Sequence, residues 1–141
     1  MLYIIDTNVF LRVLVKEDEA SFTAGLRLLE TIKQKKCTAY IPGIVLSEIV
    51  WTLHSYYEFP KPQVVQALES ILNLRGITIV DDYNYPLALD LYQQHSVKYV
   101  DACIASLSVA QDKRAAIVSY DHDFDKLGIE RREPDALMEY P

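Results

Sequence analysis

The chain reads as an α/β fold built on a mainly parallel sheet with helices covering both faces. Short apolar runs carrying β-branched residues, at Leu2 to Ile5, Cys37 to Ile41, Ile77 to Val80 and Ala115 to Ser119, have the length and composition of buried strands. Segments of ten or more residues with helical spacing separate them, which is the signature of βαβ crossovers. The chain has 141 residues, half of them apolar, matching the size of one domain with a substantial core, and we read residues 1–141 as a single domain.

The elements follow in order. LYII is a continuous apolar strand that stops at Asp6. Apolar residues then recur at helical spacing from Val9 to Val15 and from about Ser21 to Ile32, with Phe22, Leu26 and Leu29 on one side and Lys33 and Lys35 near the closing turn, where cations suit the helix dipole. CTAYI is the second strand, punctuated by Pro42 and Gly43, and a strongly apolar helix from Ile44 to Tyr57 carries Glu48 on its second turn. Pro60 and Pro62 open a helix to about Arg75, with Gly76 as its stop. ITIV is the third strand, Tyr85 to about His95 a helix with Pro86 in its first turn, and Tyr99 to about Gln111 a helix starting close to Asp101. AAIVS closes the inner strands; the tail from Ile129 to Pro141 offers an edge strand at Ile129 to Arg132 and no other assigned element.

Composition excludes several classes. No stretch approaches the roughly 18 apolar residues of a membrane span, and the N-terminal apolar run lacks a preceding basic segment and contains Asp6, so neither an anchor nor a secretion signal is expected and the cytoplasm is the expected location. Cys37 and Cys103 lack metal-type spacing and read as free thiols. A net charge of −6 argues against broad electrostatic adhesion to nucleic acid, so any such contact must be local. Small basic groups at Lys33, Lys35 and Lys36, at Lys113 and Arg114, and at Arg131 and Arg132 read as solvated helix ends and a polar edge.

Chemistry concentrates in four carboxylates set in apolar stretches: Asp6, Glu48, Asp101 and Asp121. Burying an unpaired charge costs several kcal/mol or neutralises the group, so something must compensate them. A shared hard cation, Mg²⁺ or Mn²⁺, suits several oxygen ligands gathered from distant parts of a chain. Asp6 directly follows the first strand and Asp121 lies two residues after AAIVS, where open α/β sheets bind ligands. Asp101 near a helix start is also explained by capping, whereas Glu48, among Val45, Leu46, Ile49, Val50, Trp51 and Leu53, has no polar face to occupy.

The order DTNVFL, an acid within an apolar helix, DACIAS and SYDHDF resembles the PIN-domain ribonucleases, most closely the VapC-like toxins of type II toxin-antitoxin pairs, from Asp6 to about Leu127. The resemblance implies a three-layer α/β/α sandwich and a Mg²⁺- or Mn²⁺-dependent hydrolysis of RNA phosphodiester bonds. It matches Asp6, Glu48, Asp101 and Asp121 to the metal-site acids and Asn8 to the polar residue of the opening motif, and Ser119 stands where the family often has Thr. Asp121, Asp123 and Asp125 crowd one loop, so the fourth acid is Asp121 or, as second choice, Asp123. His122 reads as an exposed loop residue, and His54 and His95 receive no role.

In this reading Asp6 and Asp101 hold the better-occupied metal, Glu48 orients the water or supports that metal, Asp121 completes a weaker second site, and Asn8 and Ser119 fix carboxylate rotamers. The family also implies an antitoxin partner filling the acidic groove, and a homodimer. Trp51, Tyr56, Tyr57 and Phe59 offer aromatic anchors, core packing explaining Trp51 equally well, while Tyr83, Tyr85 and Tyr120 offer stacking surfaces for bases. A haloacid-dehalogenase-like phosphatase would need a second Asp where Asn8 stands. A catalytically silent binding module and an RNA-processing nuclease that is not a toxin are the remaining alternatives.

Overall fold

The computed structural model describes residues 1–138. Strands β1 (Leu2–Ile5), β2 (Thr38–Pro42), β3 (Ile77–Val80), β4 (Ala115–Val118) and β5 (Arg131–Arg132) form one sheet in the order β3-β2-β1-β4-β5. Every pairing is parallel: Ile4 lies opposite Tyr40 and Ile117, Ile41 opposite Ile79, and Val118 opposite Arg132. The central strands are short and carry no charge, as strands covered on both faces require.

Chain direction across the sheet reverses once, between β1 and β4. Right-handed crossovers therefore place the helices before β3 on one face and those between β3 and β5 on the other, which makes three layers. The first set is α1 (Thr7–Leu14), α2 (Glu19–Lys33), α3 (Gly43–Trp51) with a π-helical continuation at Thr52–Tyr56, and α4 (Lys61–Leu72). The second is α5 (Tyr85–Gln94), α6 (Tyr99–Ala105), α7 (Ser108–Gln111) and α8 (Asp123–Lys126). Helices of each set pack on one another, α1 on α2 and α3, α5 on α6, and α6 on α8, while a 3₁₀ turn at Pro134–Met138 reaches back to α2. The main core joins sheet residues Ile4, Ile5, Ile41 and Ile117 to Phe10, Leu28, Ile49, Leu53, Ile104 and Phe124, all fully buried or nearly so. A smaller cluster of Ala88, Ala102 and Cys103 seals α5 against α6.

Several boundaries differ from the sequence reading for identifiable reasons. The first helix starts at Thr7 because Asp6 caps it, its carboxylate accepting a hydrogen bond from the Thr7 amide at 2.8 Å. The helix expected from Ile44 to Tyr57 loosens into π geometry after Trp51, and that expected to reach Arg75 ends at Leu72. The helix expected from Tyr99 to Gln111 is broken at Ser106, whose hydroxyl donates to the Cys103 carbonyl at 2.7 Å and accepts from the Asn84 amide at 3.1 Å, tying the break to the start of α5. The edge strand shrinks to Arg131–Arg132, and neither α8 nor the 3₁₀ turn was expected. Residues 139–141 of the tail lie outside the described residues. Among the described residues, no helix is long and apolar enough to cross a membrane.

Candidate active site

The order reversal leaves a crevice beyond the carboxyl ends of β1 and β4, where ligands of such sheets bind. Asp6 stands at the end of β1, its amide bonded to the Val118 carbonyl at 3.1 Å, and the Ser119–Asp123 segment leaves β4 directly beside it. Between them runs a continuous polar chain. Ser119, fully buried, donates its hydroxyl to Asp6 Oδ2 at 2.7 Å and accepts from the Asp121 amide at 3.0 Å. Asn8 donates to Asp6 Oδ2 at 3.3 Å and to Ser119 Oγ at 3.1 Å, while its own carbonyl accepts from the Tyr120 amide at 3.2 Å. These contacts fix the Asp6 rotamer and the path of the chain after β4.

Glu48 enters from α3, half-buried on the second turn as expected, and accepts a hydrogen bond from Thr7 Oγ1 at 2.7 Å. Asp101 enters from the first turn of α6 and is only 2% exposed. Ordinary capping does not account for it, because Lys98 holds the cap position and α6 has no side-chain cap bond. Its Oδ2 is instead buried without any hydrogen-bond partner. The ligand oxygens of Asp101, Asp121 and Asp123 lie within 4.8 Å of one another. Both loop acids left open by the sequence thus reach Asp101; Asp121 also holds the Asp123 amide at 2.9 Å. Asp125 turns away to Arg131, 3.1 Å from its Nε, and Arg131 also holds the Ser119 carbonyl at 3.0 Å.

Charge follows burial. Desolvation pushes Asp6 up to about 6, with the hydrogen bonds from Ser119 and Thr7 pulling back and Glu48 pushing further. Asp101 is pushed up to about 7, chiefly by burial and then by Asp6, Asp121 and Glu48, with Lys98 opposing. Lys98, whose ammonium lies 3.6 Å from Asp121 Oδ2, is the cation that answers all four acids: burial lowers its affinity for the proton, and Asp101, Glu48, Asp121 and Asp6 together raise it further than burial lowers it. A lone residue at a helix start gives no spacing signal, and the sequence reading missed it. Thr7 was missed for the same reason.

The donor set fits a hard divalent cation. An orphaned buried carboxylate oxygen with two further carboxylates in ligand range lacks the partner that such oxygens accept best, and the exposed ammonium groups of Lys98 and Lys126, held by Asp121 and Asp123, give it no hydrogen bond.

The aromatic expectations divide. Trp51 is 66% and Tyr56 70% exposed, which removes core packing as the account of Trp51, whereas Tyr57 and Phe59 pack against the core. Tyr83 is engaged, its phenol oxygen accepting the Ile44 amide at 3.0 Å at the start of α3, and Tyr120 lies under the Arg12 guanidinium, 4.6 Å from its ring centre. Tyr85 stays open to solvent.

Comparison with known proteins bears on the fold and the family. A VapC ribonuclease of Aquifex aeolicus is 26% identical over 131 residues, covering 93% of this chain and 96% of the relative. The crystal structure of VapBC2 from Rickettsia felis bound to a promoter DNA fragment contains a chain of like fold, with TM-score 0.68 and 22% identity, covering 94% of this chain and 98% of that one. VapBC-1 from nontypeable Haemophilus influenzae gives a TM-score of 0.65 at 12% identity, covering 96% and 99%. The PIN domain model matches residues 3–130, and the chain belongs to the PIN domain family.

Proposed function

We propose that this protein is a Mg²⁺- or Mn²⁺-dependent endoribonuclease that hydrolyses RNA phosphodiester bonds and acts as the toxin of a toxin-antitoxin pair. The observation that carries the reading is the unpartnered Asp101 Oδ2, buried in the crevice beside Asp121 and Asp123. Similarity to a VapC ribonuclease over nearly the whole chain supports RNA as substrate. Resemblance in fold to chains of two VapBC assemblies supports a neutralising protein partner. Cytoplasmic action and a homodimer complete the proposal.

Asp6, Glu48, Asp101 and Asp121, with Asp123 as an additional donor, would hold the metal. Bound there, such an ion would supply acidification of the attacking water and positive charge for the leaving oxygen. The protein's own part is orientation. Ser119 and Asn8 hold Asp6 Oδ2, Thr7 holds Glu48, and Arg131 anchors the Ser119 carbonyl, so the acids keep their geometry as charge shifts. Lys98, 3.6 Å from Asp121 Oδ2, would offer its ammonium to a phosphate bound beside that acid.

The test is cleavage of a structured RNA with Mg²⁺ or Mn²⁺ by the wild-type chain and by Asp101→Asn. The wild type should cleave, chelation should abolish cleavage, and Asp101→Asn should lower the rate at least about 100-fold, while Ser119→Ala, which removes only a supporting contact, should cost roughly 10- to 100-fold. Cleavage that survives both chelation and Asp101→Asn would overturn the proposal, and absence of cleavage with either metal would favour a binding module.

A further inference from the structure

A cleft of about 780 Å³ lies beside the acidic crevice, lined by Tyr92 of α5, by His95, Ser96 and Val97 of the following turn, by Lys98 and Tyr99 at the start of α6, and by Asp123. It shares Asp123 with the carboxylate group and Lys98 with the ion pair to Asp121, so the cleft and the crevice have a common wall. Two features fit it to a nucleotide. Tyr92 and Tyr99 meet edge to face, ring centres 5.9 Å apart, yet Tyr92 is 51% and Tyr99 40% exposed. The pairing restricts both rings while leaving aromatic surface open, as a stacking platform requires. One ammonium, Lys98, lines this space, and a second, Lys126, is bonded to two of the lining residues, at 3.1 Å from the Ser96 carbonyl and 2.9 Å from Asp123 Oδ1.

We propose that this cleft is a subsite for the nucleotide next to the scissile phosphate, its unpaired base stacking on Tyr92 and its phosphate meeting Lys98. The assignment rests on the nuclease reading for its position relative to the reacting bond, and on charge complementarity for its occupant. In a chain of net charge −6, an acidic crevice repels a polyanion, and a strand can be led into it only where cations stand at the rim. Stacking is indifferent to base identity, so this subsite selects single-stranded over paired RNA rather than one sequence over another.

Binding separates this proposal from the nuclease reading. In an Asp101→Asn background, where one repelling carboxylate and turnover are removed together, fluorescence anisotropy compares a twelve-nucleotide uridine RNA with an abasic backbone of equal length. The Asp101→Asn chain should prefer the uridine strand; adding Tyr92→Ala should cut its affinity for that strand about 5- to 100-fold while leaving abasic binding within twofold, and adding Tyr92→Phe should restore the preference. A melting temperature within a few degrees of the parent checks that the cleft is folded. Equal loss on both strands, or no loss on either, overturns the subsite even where wild-type cleavage proceeds normally. Conversely, a base preference that depends on Tyr92 stands even where no cleavage is found. Failure to bind the uridine strand at all overturns it as well and leaves the cleft to a protein segment.

Discussion

Asp101 presents a carboxylate oxygen to a buried space with no donor to receive it, and the chain tolerates this only by holding the proton more tightly. A carboxyl whose folded pKa lies above its unfolded value stabilises the fold below the unfolded value, near 4, and loses that stabilisation as pH climbs through the folded value. For Asp6 and Asp101 that window runs from about 4 to between about 6 and about 7. The metal-free protein should therefore lose stability through these two groups between pH 4 and pH 7, and Asp101→Asn should flatten the loss. At pH 8 the variant should melt higher by roughly 5 °C, a gain on the order of 1–2 kcal/mol after the cost of an unpaired amide, and the gain should vanish near pH 4. Saturating Mg²⁺ should raise the wild type but not the variant. A variant no more stable than the wild type at pH 8 would mean that burial and the neighbouring acids do not hold the Asp101 carboxyl above its ordinary range. At this scale the four acids drew notice because each lies inside or at the edge of an apolar stretch. Lys98 and Thr7 did not, since a lone cation at a cap position and a hydroxyl in a first helical turn look ordinary until the fold brings them to Asp121 and Glu48.

Among the elements, the join between α4 and β3 is the least forgiving. Gly76 holds φ at +87°, and a Cβ there would stand 2.5 Å from the Ile32 carbonyl oxygen, a backbone atom at the end of α2 that has little room to yield. Gly76→Ala should therefore cost about 2–4 kcal/mol and lower the melting temperature by roughly 6–15 °C. Thermal denaturation decides it, and a shift below about 2 °C would show that α2 and β3 slide past one another freely. The sequence located the inner strands to within a residue, because that signal is local, but its choice of Gly76 as the helix stop was late: α4 ends at Leu72 with Asn73 as its cap, and Gly76 shapes the connection to β3. The break at Ser106 escaped it, since the hydroxyl that ends α6 does so by holding Asn84, 22 positions away. The π turn after Trp51 carries no Pro or Gly to announce it.

For the whole molecule, the parallel topology was legible from alternation alone, and the crevice followed from where the strand order reverses. What alternation does not convey is how the −6 net charge is arranged around that crevice. Acids converge on its floor, while Lys98 lines the adjoining cleft and Lys126 is bonded to Ser96 and Asp123 of its wall. If RNA enters by this rim rather than by a broad basic face, few phosphates are neutralised on binding. With about two contacts, the affinity of the Asp101→Asn chain for a single-stranded RNA should fall with salt at a logarithmic slope near −1.4, the single-strand value for two released counterions. Titrations in monovalent salt from about 50 to 200 mM would then weaken binding roughly sevenfold, against a thousandfold or more for a protein that makes six or more phosphate contacts along a duplex. A slope steeper than about −4 would place the RNA on another surface, since the cleft has too few cations to produce it. Lys98→Ala should reduce the slope by about 0.7, because it deletes one of the two charges on which the entry route depends.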